Sequence, residues 1–490
     1  MPYALFDQLN DSTLVKTDAY FAGSWHSAPD SFSVANPDSG ETVVLVADSG
    51  AESCQAAIDA AYDALPTWSS KSAQERFLLL EQWHQLMISH QDDLAKILTI
   101  EQGKPLTEAK AEIAYGASYI QWFAEEGKRV YGDTIPAPSG DKRVLVIKQP
   151  VGVVSAITPW NFPNAMIARK AAAALAAGCT FVVRPSELTP LSALAMAELA
   201  DRAGIPAGVF NVVPGLDAPE MGKVLTQDPK VAKFTFTGST QVGKILTRQC
   251  ASTVKKVSME LGGNAPFIVF DDADIDAAVS GAIASKFRNA GQTCVCSNRF
   301  LVQDSVLETF TTKFTATVQT LRSGNGLNPD HQVGPLISAA AAERVDGLVK
   351  GAVAAGASIE IGGQQSAEGS HYYPPTVLSK VTNDMPVAQN EIFGPVAPII
   401  PFTTEAEAIA LANDTEYGLA AYFYARDIGR VWRVSEQLQF GMVGINEGVI
   451  SNAAAPFGGV KQSGYGREGS KYGLDDYMEI KYLCMGGLSN

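Results

Sequence analysis

Two cysteines one residue apart, Cys294 and Cys296, are the first candidates for chemistry in this chain, within SKFRNAGQTCVCSN at residues 285–298. Their spacing lacks the Cys-x-x-Cys turn that wraps tetrahedral zinc, and the five histidines form no helical ligand pair, so we expect no metal site. A free cysteine is most often an inert buried thiol. Cys294, however, follows a helical segment and a polar Gly-Gln-Thr turn, and loops on rigid scaffolds often carry reactive groups. The segment therefore favours a nucleophilic thiol.

The pattern of apolar residues indicates the elements that must position this loop. From residue 50 to about 130 the chain is polar-rich with helical periodicity, which predicts helices on the exterior. After a Pro/Gly-punctuated link, the apolar runs VGVVSAI, TFVVRP, VFNVV and KFTFTG alternate with amphipathic segments, and a second series contains APFIVF, APIIPF, LAAYFYA and GMVGIN. Such runs are typical of parallel strands buried on both faces, whose sheets bind ligands beyond the carboxyl ends of the strands. The sequence therefore predicts an α/β fold with two sheets.

Size, charge and cysteine content limit the class of protein. A chain of 490 residues predicts two or three domains. The 52 acidic and 37 basic side chains give a net charge of −15, which disfavours nucleic acid and anionic membrane surfaces as partners. The six cysteines are thinly spread, which favours a reducing compartment. The N-terminal residues lack an apolar signal core and no segment reaches transmembrane length, so we expect a cytoplasmic location.

Six ordered motifs carry a resemblance that extends from about Asp18 to the C-terminus. They are ITPWNFP at 157–163, FTGST at 236–240, MELGG at 259–263, GQTC at 291–294, EIFGP at 391–395 and PFGGVKQSGYGREG at 456–469. Together these motifs resemble the NAD(P)-dependent aldehyde dehydrogenase superfamily. Within it, SKFRNAGQTCVC, NDTEYGLAAYFYARD and REGSKYGLDDYMEIKY are similar to the succinate-semialdehyde dehydrogenases.

The resemblance implies an aldehyde dehydrogenase-like fold with three parts. Residues 1–129 and 150–260 are expected to form a Rossmann-type NAD(P)-binding domain, and residues 261–460 an α/β catalytic domain. Residues 130–149 and 475–490 are expected to form a small oligomerisation hairpin and strand. Relatives commonly form homodimers or homotetramers in which these segments complete a neighbour's sheet, so the resemblance implies a homo-oligomer.

The same motifs imply a catalytic set. A Cys294 thiolate attacks the aldehyde carbon, the resulting thiohemiacetal gives up a hydride, and the thioester left behind is hydrolysed. By resemblance, the Asn161 amide and the Cys294 backbone N–H form the oxyanion hole. Glu260 follows a strand in apolar surroundings, where desolvation raises a carboxyl pKa, so it is expected to activate the hydrolytic water. Taken alone, Glu260 is a surface carboxylate and Asn161 a turn residue. A fold kept for binding without turnover is the alternative, although none of the three residues is lost.

The cofactor motif differs from the Gly-x-Gly-x-x-Gly fingerprint. In FTFTGSTQVG a strand is predicted to end at Gly238, and Ser239 opens the next helix as its N-cap. The helix N-terminus then offers N–H groups and a positive dipole end to a pyrophosphate, although an ordinary capped helix is the simpler alternative. By resemblance, Trp160 and Phe393 flank the nicotinamide and Glu391 bonds its ribose.

Arg184 and Glu187, in VVRPSE, give opposing signals on the choice of cofactor. Arg184 stands where the family usually has a lysine that contacts the adenosine ribose, and an arginine suits a 2′-phosphate. A carboxylate at Glu187 accepts bonds from both ribose hydroxyls and repels that phosphate. We predict a preference for NAD through Glu187, with NADP as the alternative.

Arg169 and Arg288 are predicted to lie on helices that flank the catalytic loop. A guanidinium offers a planar fork of donors that suits a carboxylate, whereas surface or salt-bridging arginines are the alternative. By resemblance, these arginines and Ser451 bind the acid group of succinate semialdehyde, with glutarate semialdehyde or another aldehyde as the alternative substrate. Glu447 replaces a small threonine common in the family, and its carboxylate is unfavourable for an anionic substrate unless it points away.

Cys296 has two interpretations. It packs beside the loop, or it forms a reversible disulfide with Cys294, as in some relatives, that switches off the nucleophile. Residues two apart in an extended chain are too far apart for a bridge, so the disulfide needs a bent loop and is strained.

Overall fold

Helices and strands alternate along most of the chain. The computed structural model describes residues 4–365, 367 and 370–488. The strands are β1 (Ala19–Phe21), β2 (Ser24–His26), β3 (Ser31–Ala35), β4 (Thr42–Ala47), β5 (Asp133–Ile135), β6 (Arg143–Pro150), β7 (Val153–Ile157), β8 (Thr180–Arg184), β9 (Phe210–Val212), β10 (Val231–Thr237), β11 (Lys256–Glu260), β12 (Ala265–Val269), β13 (Ser297–Gln303), β14 (Ser358–Ile361), β15 (Thr376–Ser379), β16 (Val396–Phe402), β17 (Ala420–Tyr424), β18 (Met442–Ile445), β19 (Gly464–Tyr465) and β20 (Met478–Met485). The α-helices are α1 (Gly50–Ser69), α2 (Ala73–Ser89), α3 (Gln91–Gln102), α4 (Leu106–Glu126), α5 (Ala165–Ala177), α6 (Pro190–Arg202), α7 (Ala218–Gln227), α8 (Thr240–Cys250), α9 (Ile275–Phe287), α10 (Leu307–Val318), α11 (Ala339–Ala354), α12 (Pro386–Gln389), α13 (Glu405–Asn413), α14 (Ile428–Gln437) and α15 (Tyr472–Asp475).

The first sheet has eight strands in the order β19-β11-β10-β7-β8-β9-β1-β2. Its five central strands, from β11 to β9, are parallel. They are short runs buried on both faces: β7 and β8 are mostly apolar, and in β10 the polar Lys233 and Thr235, which alternate with phenylalanines, are buried as well. The pairs Thr237↔Glu260 and Ile157↔Arg184 lie at the carboxyl ends of their strands. Residues that follow β7, β8, β10 and β11 therefore meet along one edge of the sheet.

The second sheet has seven strands in the order β14-β15-β16-β13-β12-β17-β18. All neighbours are parallel except β14 and β15. On one face Ile268 and Leu301 pack with residues of α11, α13 and α14, and on the other Phe267 and Phe300 pack with residues of α9 and α10. The predicted α/β fold, with apolar strands buried on both faces, is confirmed.

A small antiparallel sheet joins β20 to β6 and β5. β20 pairs with β6 along its whole length, from Met478↔Pro150 to Met485↔Arg143. It is the edge strand of this sheet, and its side chains Ile480 and Tyr482 are 72% and 61% exposed.

The division of the chain into three parts stays a prediction. Residues 461–474, which that division leaves unassigned, supply β19 to the first sheet. Residues 1–3, 489 and 490, which it does assign, lie outside the described part of the chain.

The helices expected from residues 50–130 are present as α1 to α4, but not all of them lie on the exterior. Helix α4 packs against α2, α3 and α5, and its residues Ile113, Phe123 and Glu112 are buried. The expectation of an exterior position is therefore wrong for α4, because the polar Glu112 is turned into the interior together with the apolar positions. Neither α4 nor any other helix of the described residues is long and apolar enough to cross a membrane.

Candidate active site

Cys294 lies in a sharply folded loop between α9 and β13. Beyond the end of α9, the residues Asn289, Ala290 and Gly291 have φ values of 52°, 53° and 76°, which is the left-handed region. A side chain at Gly291 would bring its Cβ within 2.2 Å of the Gly394 carbonyl oxygen, and one at Gly263 would lie 2.3 Å from the Cys294 carbonyl oxygen. The neighbouring backbone thus holds the loop from two sides.

Two cavities meet at Cys294, the one residue of the described chain that lines both. The larger cavity, of about 360 Å³, is lined by Pro159, Trp160, Asn161, Thr237, Gly238, Ser239, Leu261, Gly262, Cys294, Ala341, Arg344, Glu391 and Phe393. The smaller cavity, of about 20 Å³, is lined by Tyr115, Phe162, Met166, Arg169, Arg288, Thr293, Cys294, Val295, Ser451 and Phe457.

The larger cavity opens at the carboxyl edge of the first sheet. Gly238 follows the end of β10, and Ser239 is the N-cap of α8, as predicted, with its Oγ accepting from the Val242 N–H at 3.4 Å. The rings of Trp160 and Phe393 meet edge to face with centroids 5.6 Å apart. Phe393 has a φ of 50°, a strained value for a non-glycine residue, so the surrounding structure must hold its ring in place.

Glu391 projects its carboxyl group toward the larger cavity. Its Oε1 accepts from the Gly263 N–H at 3.0 Å, and burial raises its pKa to about 7. Arg344 donates to the backbone carbonyl oxygens of Glu391 and Ile392 at 3.1 and 2.5 Å. The Glu391 carboxyl group therefore titrates near neutral pH beside a backbone that an arginine holds in place.

Arg184 and Glu187 form an ion pair and do not line either cavity. The Arg184 Nη2 donates to Glu187 Oε2 at 2.9 Å and to the Gly215 carbonyl oxygen at 2.8 Å. The two side chains therefore do not give the independent, opposing signals on cofactor choice that the sequence alone predicts, because each charge is partly neutralised by the other.

Asn161 contacts the catalytic loop through both its side chain and its backbone. Its Nδ2 donates to the Gln292 carbonyl oxygen at 3.0 Å, and its Oδ1 is buried without a hydrogen-bond partner among the described residues. Its carbonyl oxygen accepts from Lys104 Nζ at 2.8 Å and from Asn289 Nδ2 at 3.0 Å. The Asn161 amide is thereby held against the loop that carries Cys294.

Burial raises the pKa of both the Cys294 thiol and the Glu260 carboxyl group. The Cys294 pKa is raised to about 12, and Arg169 opposes the rise. Glu260 ends β11, is 2% exposed and has an Oε2 without a partner among the described residues. Burial, then the charge of Glu468, raises its pKa well above the usual value. The predicted direction of the Glu260 shift is confirmed, and a surface carboxylate is excluded, although Glu260 lines neither cavity.

Arg169 is not a free guanidinium. It lies on α5, as predicted, and forms a buried ion pair with Glu468, which also pairs with Lys170. Burial raises the pKa of Glu468, but the charges of Arg169 and Lys170 outweigh this effect and hold the pKa below its usual value. The Arg169 guanidinium also lies 4.4 Å from the centroid of the Phe457 ring. Its Nη2 is buried without a hydrogen-bond partner among the described residues, so it keeps one donor for a ligand.

Arg288 and Ser451 line the smaller cavity with Arg169. Arg288 lies one residue beyond the end of α9, so its predicted place on the helix is off by one residue. Its guanidinium lies 5.5 Å from the centroid of the Phe162 ring and takes part in no ion pair that joins the described residues. Glu447 points away, because its Oε1 accepts from the N–H groups of Gly448 and Val449 in its own loop at 2.8 and 2.9 Å.

Cys296 follows Cys294 in the same turn but lines neither cavity. It is buried, its N–H donates to the Thr293 carbonyl oxygen at 3.0 Å, and its Sγ lies 3.7 Å from the Lys286 carbonyl oxygen. Both cysteines are free thiols. A disulfide between them stays a prediction.

Several residues that line the cavities are not predicted from the sequence. Phe162 and Phe457 lie inside the PWNFP and PFGG motifs, so a signal for them existed. Tyr115 comes from α4, which was expected on the exterior, and Arg344 from α11, for which no motif was recognised. Among the residues that the structure describes, no group of three or more His, Cys, Asp or Glu side chains could hold a metal ion.

Comparison with known proteins gives one family. Residues 25–483 match the Aldehyde dehydrogenase family. The chain is 57% identical to the 3-sulfolactaldehyde dehydrogenase of Pseudomonas putida, with coverage of 98% of this chain and 99% of that protein. It is equally 57% identical to the glutarate-semialdehyde dehydrogenase of Pseudomonas aeruginosa and to the NADP(+) succinate-semialdehyde dehydrogenase GabD of Escherichia coli K12, with coverage of 98% of this chain and 100% of each relative. The crystal structure of succinate-semialdehyde dehydrogenase from Burkholderia pseudomallei matches with a TM-score of 0.96 and 56% identity, over 98% of this chain and 100% of that one.

Proposed function

The chain belongs to the aldehyde dehydrogenase family, and from that premise we propose that it oxidises succinate semialdehyde to succinate with NAD(P)+. The observation that carries the proposal is Cys294 at the junction of the two cavities. A thiol there can meet an aldehyde that enters from the arginine-lined side, while the other side holds the hydride acceptor. The relatives named for succinate semialdehyde support this substrate, and the one named for glutarate semialdehyde provides the alternative.

The residues of the larger cavity fit a dinucleotide. The cavity opens at the carboxyl ends of β7 and β10 and at the start of α8, a position where phosphates bind in α/β sheets. Thr237, which lines it, has a buried hydroxyl without a hydrogen-bond partner among the described residues. The N-cap residue Ser239, the rings of Trp160 and Phe393, and the Glu391 carboxylate are the groups that would hold the cofactor. Bound NAD(P)+ supplies the acceptor for the hydride of the substrate.

The enzyme is proposed to prefer NAD through Glu187. The ion pair with Glu187 partly neutralises the charge of Arg184, so this guanidinium attracts a 2′-phosphate less strongly than a free one. The carboxylate itself repels such a phosphate. The relative GabD carries NADP(+) in its name, so NADP is the alternative cofactor.

Cys294 is proposed as the nucleophile and Asn161 as one oxyanion donor. The Cys294 thiol, whose pKa burial raises, must lose its proton before attack, and the positive charge of Arg169 favours the thiolate. The thiolate then bonds to the aldehyde carbon and forms a thiohemiacetal. Asn161 Nδ2 and the Cys294 N–H donate to the oxygen, for which Nδ2 exchanges its present bond to the Gln292 carbonyl oxygen.

Glu260 is proposed as the base that deprotonates the hydrolytic water after the hydride has left. Its buried carboxyl group has a raised pKa, so its carboxylate is a stronger base than an exposed one. Because Glu260 lines neither cavity, a water molecule must bridge its carboxylate and the thioester carbon, or its side chain must turn.

Arg288, Arg169 and Ser451 are proposed to bind the acid group of the substrate. Arg288 has no carboxylate in salt-bridge contact among the described residues, so its fork is open to a ligand. Arg169 contributes the donor that Glu468 leaves free. The smaller cavity contains no lining carboxylate in the described chain, which supports an anionic substrate.

Assembly into a homodimer or homotetramer is proposed through β20. This edge strand leaves one row of backbone groups without a partner strand in the described residues and exposes Ile480 and Tyr482. Such an edge is a template for pairing with another chain. A cytoplasmic location is proposed on the six free cysteines, which suit a reducing compartment.

The test is a set of initial rates of NADH and NADPH formation with succinate semialdehyde, glutarate semialdehyde, 3-sulfolactaldehyde and butanal. Since a fully desolvated charge pair is worth about 2–5 kcal/mol, kcat/KM for succinate semialdehyde should exceed that for butanal by roughly 30-fold or more. A higher kcat/KM for glutarate semialdehyde or 3-sulfolactaldehyde would reassign the substrate. Equal values for butanal would exclude an acid-binding site.

A further inference from the structure

A buried ion pair lies close to Asn161, between Lys104 in the connection from α3 to α4 and Glu112 on α4. Lys104 Nζ lies 2.5 Å from Glu112 Oε2, and the two side chains are 1% and 0% exposed. Taking two charges out of water costs several kcal/mol per ion in real proteins, so an apolar pair of similar size would pack at least as stably. The ion pair therefore calls for an explanation other than stability.

The contacts of this ion pair converge on the backbone next to the reacting groups. Lys104 Nζ also donates to the Asn161 carbonyl oxygen at 2.8 Å. The second oxygen of Glu112 accepts from the N–H groups of Asn164 and Ala165 at 3.0 and 3.3 Å, where α5 begins. One ion pair thus fixes the backbone on both sides of Phe162 and Pro163.

The same carbonyl oxygen belongs to a second set of bonds that reaches the catalytic loop. Asn289 Nδ2 donates to the Asn161 carbonyl oxygen at 3.0 Å and to the Gln292 carbonyl oxygen at 3.2 Å. The Gln292 carbonyl oxygen is also the acceptor of Asn161 Nδ2. Any rotation of the peptide group of Asn161 therefore moves its side-chain amide relative to the loop that carries Cys294.

We propose that Lys104, held in place by Glu112, is a positioning residue that fixes the Asn161 amide at the oxyanion site. This inference rests on the proposed function, in which Asn161 donates to the substrate oxygen. An oxyanion donor works only within a narrow range of distance, about 2.7–3.1 Å, so a small rotation of its backbone weakens it. Because the bond from Asn289 to the same carbonyl oxygen remains, loss of Lys104 weakens the donor without abolishing it.

The test variant is Lys104→Met combined with Glu112→Gln. The glutamine keeps an acceptor for Asn164 and Ala165, and the pair leaves no buried charge without its partner. Lys255→Met is the matched control, because Lys255 is a buried lysine that donates to a backbone carbonyl oxygen, that of Asp228 at 2.9 Å, away from both cavities. If the double variant does not fold, Lys104→Gln with Glu112→Gln replaces it, since two amides can bond each other.

The measurements are kcat, KM and the isotope effect of deuterium at the aldehyde carbon. We expect kcat to fall roughly 10- to 100-fold, because a misplacement of about 1 Å costs on the order of 100-fold. The isotope effect should rise, because hydride loss becomes rate-limiting, and the alkylation rate of Cys294 by iodoacetamide should stay within about twofold. A loss of kcat without a change in the isotope effect, or an equal effect in Lys255→Met, would overturn the proposal.

Combination with Asn161→Ala separates this inference from the proposed function. If Lys104 acts through Asn161, its removal should lower kcat no further in the Asn161→Ala background. Additive losses would overturn the positioning role alone. If Asn161→Ala by itself leaves kcat and the isotope effect unchanged, the proposed oxyanion role fails, and the inference fails with it.

Discussion

The two cavities on either side of Cys294 differ in size, charge and origin. The larger one, of about 360 Å³, lies at the strand ends of the first sheet, and its arginine, Arg344, is bonded to backbone carbonyl oxygens. The smaller one, of about 20 Å³, is lined by two arginines and several aromatic rings. The larger cavity suits a ligand held by backbone and rings, whereas the arginines of the smaller one suit an anionic ligand. Substrate specificity is therefore expected to depend on a few side chains of the smaller cavity, and cofactor choice on residues outside the larger one.

Removal of the shared thiol should have the largest effect. Cys294→Ala is expected to lower kcat by on the order of 10³ or more, because the covalent route is lost. Binding of NAD, followed by quenching of Trp160 fluorescence, should persist, since the larger cavity keeps its other residues. Retained turnover in this variant would show that the thiol between the two cavities is not the nucleophile.

Glu260→Gln should slow hydrolysis of the thioester by about 10²–10⁴-fold while the first turnover still produces NADH. Because the carboxylate is the active form and its pKa is raised, kcat of the wild type should increase as pH rises through that raised pKa. The variant should lose this dependence. Stopped-flow measurement of an NADH burst checks the assignment, and the absence of a burst would contradict it.

Arg288→Ala and Arg169→Ala should have different effects, because Arg169 forms a buried ion pair with Glu468 and Arg288 does not. Loss of Arg288 removes an anchor worth about 2–5 kcal/mol, so kcat/KM for succinate semialdehyde should fall roughly 30- to 3,000-fold, with little change for butanal. Arg169→Ala should impair both substrates and lower the melting temperature, because it leaves Glu468 buried with Lys170 as its remaining partner. Equal losses on both substrates in Arg288→Ala would refute the charge selection.

Glu187→Ala should have the smallest effect and should act on cofactor choice from outside the larger cavity. It frees Arg184 and removes a carboxylate that repels a 2′-phosphate, so kcat/KM with NADP relative to NAD should rise about tenfold, or about 1.4 kcal/mol. Glu220→Ala, at an exposed carboxylate that pairs with Lys223 on α7, is the control. An unchanged ratio of kcat/KM with NADP to kcat/KM with NAD would show that the ion pair of Arg184 and Glu187 does not decide the choice of cofactor.

Much of the fold follows from local signals in the sequence. Strands such as β7 and β8 are short, mostly apolar runs because they are buried on both faces, and Ser239 caps α8 because its hydroxyl can bond a free N–H. The raised pKa of Glu260 follows from its position at the buried end of β11.

Contacts between distant segments could not be inferred in this way. Lys170 contacts Glu468, which lies 298 positions further along the chain. Arg169 contacts the same carboxylate, so its guanidinium is only partly available to bind the acid group of a substrate. The burial of α4 was missed for the same reason, because its polar residue Glu112 has its partner Lys104 in the preceding connection and its backbone contacts in α5. Periodicity reports that a helix has an apolar face, but not how many neighbours surround it.

The glycines on either side of the Cys294 loop predict where this protein tolerates no sequence change. Gly291 has a φ of 76° and would meet the Gly394 carbonyl oxygen at 2.2 Å through any side chain, and Gly263 would meet the carbonyl oxygen of the nucleophile at 2.3 Å. In a saturation library selected for growth on an acidic aldehyde, even alanine should be lost at Gly291 and Gly263. Gly347 has open space around it, so this position should accept most residues.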